Sequence, residues 1–100
     1  MEHMKINLVL FLASNHEAGK METLMKTFES DFRPVKGDIL DDPGFDPDYH
    51  NGYEVVKVTI DYSQDLCWVS LTPLAIDLVH LSFDTYIKKL RTNGWNTLTL

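Results

Sequence analysis

The hydrophobic positions of the chain follow different periods in different segments, and each period predicts an element of secondary structure. Range 5–12 is apolar at both odd and even positions, which predicts a central strand covered on both sides. Ser14 and Glu17 form a capping box, which is typical of a helix start. An apolar stripe at helical spacing follows and consists of Met21, Leu24, Met25, Phe28 and Phe32. The pattern predicts an amphipathic helix that ends before Pro34.

The hydrophobic period changes to two in the middle of the chain. Val35–Leu40 is a short strand candidate, and range 41–52 is dense in turn residues. Apolar and polar residues then alternate on both sides of a second turn. We therefore predict an antiparallel hairpin over Glu54–Leu71. Its predicted core face carries Val56, Val58, Ile60, Cys67, Val69 and Leu71.

The segment after this hairpin fits two structures. Thr72-Pro73 is suited equally to a strand boundary and to the N-cap and first position of a helix. Range 73–81 is therefore a strand or a short helix, and we favour a strand over 75–80.

The last segment predicts a helix with clear ends. Ser82 is its cap, and Asn93-Gly94 ends it. Its apolar stripe consists of Phe83, Tyr86, Ile87 and Leu90. We expect Trp95 to fold back as a hydrophobic plug.

These elements predict an α+β fold in a single globular domain over residues 1–100. The fold is a small, largely antiparallel sheet of four or five strands packed by two helices, in the order β-α-β-β-β-(β)-α. A chain of 100 residues that is 44% hydrophobic and 24% charged has enough apolar side chains for one core.

Charge and cysteine content narrow the classes of partner and compartment. A formal net charge of -6 argues against binding to a phosphate backbone, so we do not expect nucleic acid as a partner. The single cysteine, Cys67, cannot form an internal disulfide, which favours a reduced, cytoplasmic setting. The apolar run 6–12 lacks a cleavage pattern, and no run has the length to cross a bilayer.

The stretch from Ser14 to Met21 approaches a phosphate-binding loop without matching it. That loop needs a first glycine for its turn and a final hydroxyl for magnesium. Ser14 stands at the first position and Met21 at the last, around Gly19-Lys20. We therefore expect neither nucleotide binding nor a cofactor.

An acidic loop is the second candidate for chemistry. Its titratable residues are Asp38, Asp41, Asp42, Asp46, Asp48 and His50. In the frame of an EF-hand, Asn51 replaces the required glycine and Lys57 replaces the bidentate glutamate. We therefore expect no metal site here. We expect instead a solvated loop in which Asp side chains accept hydrogen bonds from the local backbone.

Aromatic side chains lie in and after the acidic loop, and together they form a candidate binding surface. Aromatic residues are favoured interface anchors, and neighbouring carboxylates steer a basic protein partner toward them. The residues of this surface are Asp41, Asp42, Phe45, Asp46, Asp48, Tyr49, Tyr53 and Trp68. It requires Tyr53 and Trp68 to share one sheet face; the alternative is that both are core residues.

The segments "PVKGDIL", "YEVVKVTID" and "CWVSL" resemble the strand entry and hairpin of small barrel-like modules found among uncharacterised bacterial and phage proteins. This resemblance covers less than half of the chain. It implies a phage or prophage origin and assigns no role to any residue.

Two function classes remain. The first is a small non-enzymatic interaction or regulatory module that binds a protein through the acidic and aromatic surface. The alternative is a small cation-dependent hydrolase that uses the Asp-rich loop, with dimerisation completing its cleft. The lack of a complete catalytic motif favours the first, and a homodimer is compatible with both.

Overall fold

The computed structural model describes residues 4–15, 19–45, 52–76 and 82–98. Its elements are β1 (Met4–Ser14), β2 (Met21–Ser30), β3 (Ile39–Leu40), β4 (Tyr53–Asp61), β5 (Leu66–Leu71), β6 (Leu74–Ile76), α1 (Phe83–Thr92) and β7 (Asn96–Thr97).

The strands form one mixed sheet with β1 at its centre. The order along the sheet is β3-β4-β5-β1-β2-β7. One side of β1 pairs antiparallel with β2, and the other side pairs in parallel with β5 and then with β6. The predicted central position of the first strand is therefore confirmed.

β5 and β6 follow the same side of β1 with one irregularity between them. Val9 lies opposite Ser70, and Leu12 lies opposite Leu74, so the β5–β6 side contains one extra residue. Pro73 lies in this gap, where its lack of a backbone N–H removes no ladder hydrogen bond. The strand that we favoured after Pro73 is confirmed at its start, and range 77–81 lies outside the described residues.

The helix predicted after Ser14 is wrong. This segment is β2, which pairs with β1 continuously from Met4 opposite Ser30 to Ala13 opposite Met21. The apolar spacing fits a helix in isolation, but pairing with a central strand supplies hydrogen bonds and burial that outweigh local preference. Ser14 ends β1, and Glu17, its expected capping partner, lies outside the described residues.

The predicted fold is corrected accordingly. The sheet is mixed and curls into a half-barrel, and the described residues form one short helix rather than two helices that pack on the sheet. The predicted strand over 35–40 is reduced to β3, because range 35–38 forms a turn. In that turn the Val35 N–H donates to Oδ2 of Asp38 at 2.9 Å, and the Asp38 N–H donates to the Val35 carbonyl at 3.0 Å.

The predicted hairpin is confirmed as the antiparallel pair β4–β5, but its register contains a β-bulge. Val55 lies opposite Leu71 and Lys57 lies opposite Ser70, so Val56 is the extra residue. The bulge changes which residues face the core: Val55 is fully buried, whereas Val56 is 38% exposed. Our assignment of Val56 to the core face is therefore wrong.

The final helix, α1, agrees with its sequence signals. The Ser82 side chain accepts a hydrogen bond from the Thr85 N–H. The four residues of the predicted stripe are buried, and Trp95 is 1% exposed after the chain turns at Gly94. The cap, the stripe and the hydrophobic plug are confirmed.

The sheet has two distinct faces. The inner face carries the core, to which α1 and Trp95 contribute, and includes Ile6, Leu8, Leu10, Leu12, Leu24, Val55, Cys67, Val69 and Leu71. Burial raises the pKa of the Cys67 thiol, against an opposing effect of Arg33, so this cysteine is a packing residue as expected. The outer face carries the alternate residues of β1, β2 and β5.

A pair of substitutions tests the bulge. We expect Val55→Asp to lower the free energy of unfolding by about 3–5 kcal/mol or to prevent folding, because it buries an unpaired charge. Val56→Asp, at the exposed position, should cost about 1 kcal/mol or less. Urea unfolding followed by circular dichroism measures both. A larger loss for Val56→Asp would contradict the bulged register.

Candidate interaction surfaces

Asp42 accepts hydrogen bonds from three donors, of which two come from distant parts of the chain. Its Oδ1 atom accepts from Nζ of Lys26 at 2.7 Å, and its Oδ2 atom accepts from Nε1 of Trp95 at 2.9 Å and from the Gly44 N–H at 2.8 Å. Burial alone would raise the pKa of Asp42, but these hydrogen bonds outweigh it and hold that pKa below its ordinary value. The Asp42 carboxylate therefore stabilises the fold through intramolecular hydrogen bonds and is not available for contact with a partner.

The other described aspartates of the loop make local contacts. Asp41 accepts from the N–H of Asp42 at 2.9 Å and is exposed. Asp38 accepts from the Val35 N–H in the turn before β3. For these residues the expectation of local backbone hydrogen bonds is confirmed.

Phe45 and Tyr53 belong to the core rather than to a surface. Phe45 is 4% exposed and Tyr53 is 5% exposed. Their rings pack edge to face with centroids 4.4 Å apart, and the Tyr53 hydroxyl lies 2.9 Å from the Tyr86 hydroxyl on α1. Neither ring is available as an anchor for a partner.

Trp68 lies on the outer face, opposite Asn7 of β1 and Thr59 of β4, and it is half-buried. Tyr53 lies on the inner face, so the shared face that the sequence predicted for these two aromatic residues is wrong. The bulge at Val56 is the physical reason, because in a strand without it the side chains of Tyr53 and Thr59 would lie on the same face. Asp46, Asp48 and Tyr49, the remaining residues of the predicted surface, lie outside the described residues.

Two concave regions flank the helix and the loop. A groove of about 570 Å³ lies between α1 and the start of β2, and its charges are largely paired: Lys20 contacts Asp84 at 2.8 Å and Arg91 lies 3.9 Å from Glu22. A pocket of about 340 Å³ lies beside the Lys26–Asp42 pair. Its apolar lining comprises Leu8, Phe28, Phe32, Pro34 and Leu40. Among the described residues, neither lining contains a Ser, Thr, Cys or His side chain.

The described ranges contain no group of three or more His, Cys, Asp or Glu residues placed to hold a metal ion. Within the same ranges, no helix has the length and apolar character needed to span a membrane.

The outer face carries an apolar set that the sequence reading missed. Its members are Val9, Phe11, Met21, Met25 and Trp68. Phe11 is 45% exposed and Met21 is 70% exposed, although Phe11 lies on the central strand. Val9 is 8% exposed and stands apart from the core cluster, between the flanking residues Met25 and Ser70. The alternation of Met21, Thr23 and Met25 was the available signal, but the helical interpretation of β2 concealed it.

Within the part of the chain that the structure describes, the architecture is one curled mixed sheet with a single helix on its inner side. Comparison of the chain with known protein families, with curated proteins and with solved structures finds no match in any of the three.

Substituting Asp42 should change the pH dependence of stability. Because its pKa is lowered in the folded protein, Asp42 contributes stability that is fully present above the unfolded value of about 3.9 and is lost as the pH falls through the folded value. We expect Asp42→Asn to be destabilising at neutral pH, with the difference from the wild type shrinking below about pH 4.

Chemical unfolding between neutral and acidic pH measures this difference. Asp41→Asn is the matched control, because it changes the neighbouring, exposed carboxylate. A destabilisation by Asp42→Asn that stays constant as the pH falls would contradict the structural role of the charged form.

Proposed function

We propose that this chain is a small non-enzymatic module that binds a protein partner through the outer face of its sheet. The observation that carries the proposal is the exposure of Phe11 on the central strand, beside Met21 and Met25 of β2. An apolar patch in the middle of a sheet is costly to leave in water, and such patches mark interaction sites. The core, the helix and Trp95 lie on the inner face, and no described element packs over Phe11. Met21, at the start of β2, also borders the groove beside α1.

The composition of the outer face favours a protein over a small ligand. Its centre is apolar and follows the sheet rather than enclosing a cavity. Charged residues of both signs lie at its margin, where Lys5 lies opposite Glu29. An apolar centre within a polar rim is the usual composition of a protein interface.

The net charge of -6 adds a preference for a basic partner, because long-range attraction raises the rate of association. The basic partner predicted from the sequence is therefore retained, but its proposed contact surface moves to the outer face. A regulatory role and a phage or prophage origin remain predictions.

The hydrolase alternative receives no specific support from the described residues. A cation site in the acidic loop requires carboxylates with free lone pairs and uncompensated charge. Asp42 instead forms an ion pair with Lys26. The two further carboxylates that the alternative needs, Asp46 and Asp48, lie outside the described residues.

Affinity capture from a lysate of the native host tests the proposed face. Phe11→Lys places a charge at the centre of the patch and should abolish capture of a partner that the wild type retains. Because more than half of the Phe11 side chain is covered, a melting curve accompanies the assay and establishes that the variant is folded. Phe32→Lys is the matched control, since Phe32 is 62% exposed and lines the pocket beside Lys26 and Asp42. Equal capture by wild type and Phe11→Lys, or equal loss in both variants, would argue against the outer face.

A further inference from the structure

The outer edge of β4 is only partly paired. β3 pairs with its first two residues, Tyr53 and Glu54. The backbone of Val55 then completes this contact, donating to the Asp38 carbonyl at 2.8 Å and accepting from the Gly37 N–H at 2.9 Å. Beyond Val55, no described residue pairs with this edge, although β4 continues to Asp61.

The open part of the edge, range 56–61, is suited to further strand pairing. Its sequence, VKVTID, is rich in β-branched residues and contains no proline. Lys57 and Asp61 carry its only charges, and they have opposite signs. An edge strand of this length presents a row of backbone donors and acceptors that readily accept another strand.

We propose that the strand that pairs with this edge is β4 of a second copy of the chain, antiparallel and related by a two-fold axis at Thr59. In this register Lys57 lies opposite the partner subunit's Asp61, and the symmetry creates the same attractive pair twice. Val58 lies opposite the partner subunit's Ile60. This contact covers the side chain of Ile60, which is 43% exposed in the single chain. Opposite charges and β-branched pairs are the cross-strand combinations that stabilise antiparallel sheets.

The ends of β4 select this register. The pairing occupies range 57–61 on each copy, which begins after the contact with β3 and ends where the turn begins at Tyr62. An axis at Val58 would instead place Asp61 opposite the partner subunit's Val55. The N–H and carbonyl of Val55 already bind Asp38 and Gly37, so that register would compete with existing hydrogen bonds.

The proposed dimer goes beyond the proposed function, because it uses the backbone edge of β4 rather than the apolar patch around Phe11. A variant that loses the dimer but still captures the partner would separate the two proposals. Phe11→Lys would also separate them if it forms the dimer but no longer captures the partner.

A charge-exchange experiment tests the pairing of Lys57 with Asp61. Sedimentation equilibrium measures the dimer dissociation constant of wild type, Lys57→Asp, Asp61→Lys and the double variant. Each single variant places like charges opposite each other twice, and we expect its dissociation constant to rise about tenfold or more. The double variant exchanges the two charges, so its dissociation constant should return to near the wild-type value. An equimolar mixture of the single variants should also recover, because their heterodimer pairs opposite charges at both positions.

Lys88→Asp is the matched control, since it makes the same charge change on α1 and should leave association unchanged. Asp61 also accepts hydrogen bonds from Ser63 and Gln64, so a melting curve accompanies each variant. A wild type that remains monomeric up to about 1 mM, the weakest range of measurable association, would overturn the proposal. A dimer that responds equally to Lys57→Asp and Lys88→Asp would also overturn it.

A cysteine cross-link provides a test that does not depend on charge. The axis places Thr59 directly opposite itself, with Cα atoms about 4.5–5.5 Å apart, which is within the range of a disulfide. Thr59→Cys should form a covalent dimer under mild oxidation, while the native Cys67 is buried. Gln64→Cys, in the exposed turn after β4, is the control and should cross-link far more slowly. Equal rates for the two variants would contradict the two-fold axis at Thr59.

Discussion

The ion pair between Lys26 and Asp42 holds together parts of the chain that are far apart in sequence. Lys26 lies on the inner face of β2, opposite Leu8, where an unpaired ammonium group would be strongly unfavourable. Asp42 compensates this charge and also accepts from the indole of Trp95, which lies beyond the helix. Three segments therefore converge on one carboxylate. Phe45 extends the same contact, since its ring lies 5.7 Å from that of Trp95 and packs against Tyr53. The acidic loop thus closes one side of the core.

The bulge at Val56 determines the surfaces that the sheet displays. It allows Val55 and Val58 to point toward the core although a regular strand would place them on opposite faces. Tyr53 consequently reaches Tyr86 on α1, while Trp68 stays on the outer face. Bulges bend the strand that contains them and are frequent at sheet edges. Here the bulge lies where the contact with β3 ends, so it separates the covered part of β4 from the open part.

Sequence reasoning identified the elements whose signals are local. Ser82, the apolar stripe of α1 and Gly94 define the helix through caps and periodicity, and the β4–β5 hairpin follows from alternation around a turn. β2 was not predictable in this way. Lys26 lies on the same inner face as Leu24, and a lysine is stable at that position because it forms an ion pair with Asp42, which is distant in sequence. The bulge likewise leaves no local signal in a run of β-branched residues. The burial of Phe45 and Tyr53 was missed for the same reason: both were assigned to a surface by their proximity to acidic residues, whereas their burial depends on Tyr86 and Trp95.

The two proposed contacts have a geometric relationship that follows from the sheet itself. A two-fold axis at the β4 edge keeps Lys57, Thr59 and Asp61 of both copies on the same side, because directly opposite residues in an antiparallel pair share a face. The outer faces of two paired chains would therefore lie on one side of a continuous sheet, and both helices on the other. Phe11 would be presented twice on that surface, at a separation fixed by β4, β5 and β1 of each copy. A partner with a repeated or symmetric binding surface would then engage both patches, and its second contact would form at a high effective concentration. Pairing at the edge would in this way strengthen binding at the face without adding any contact to it.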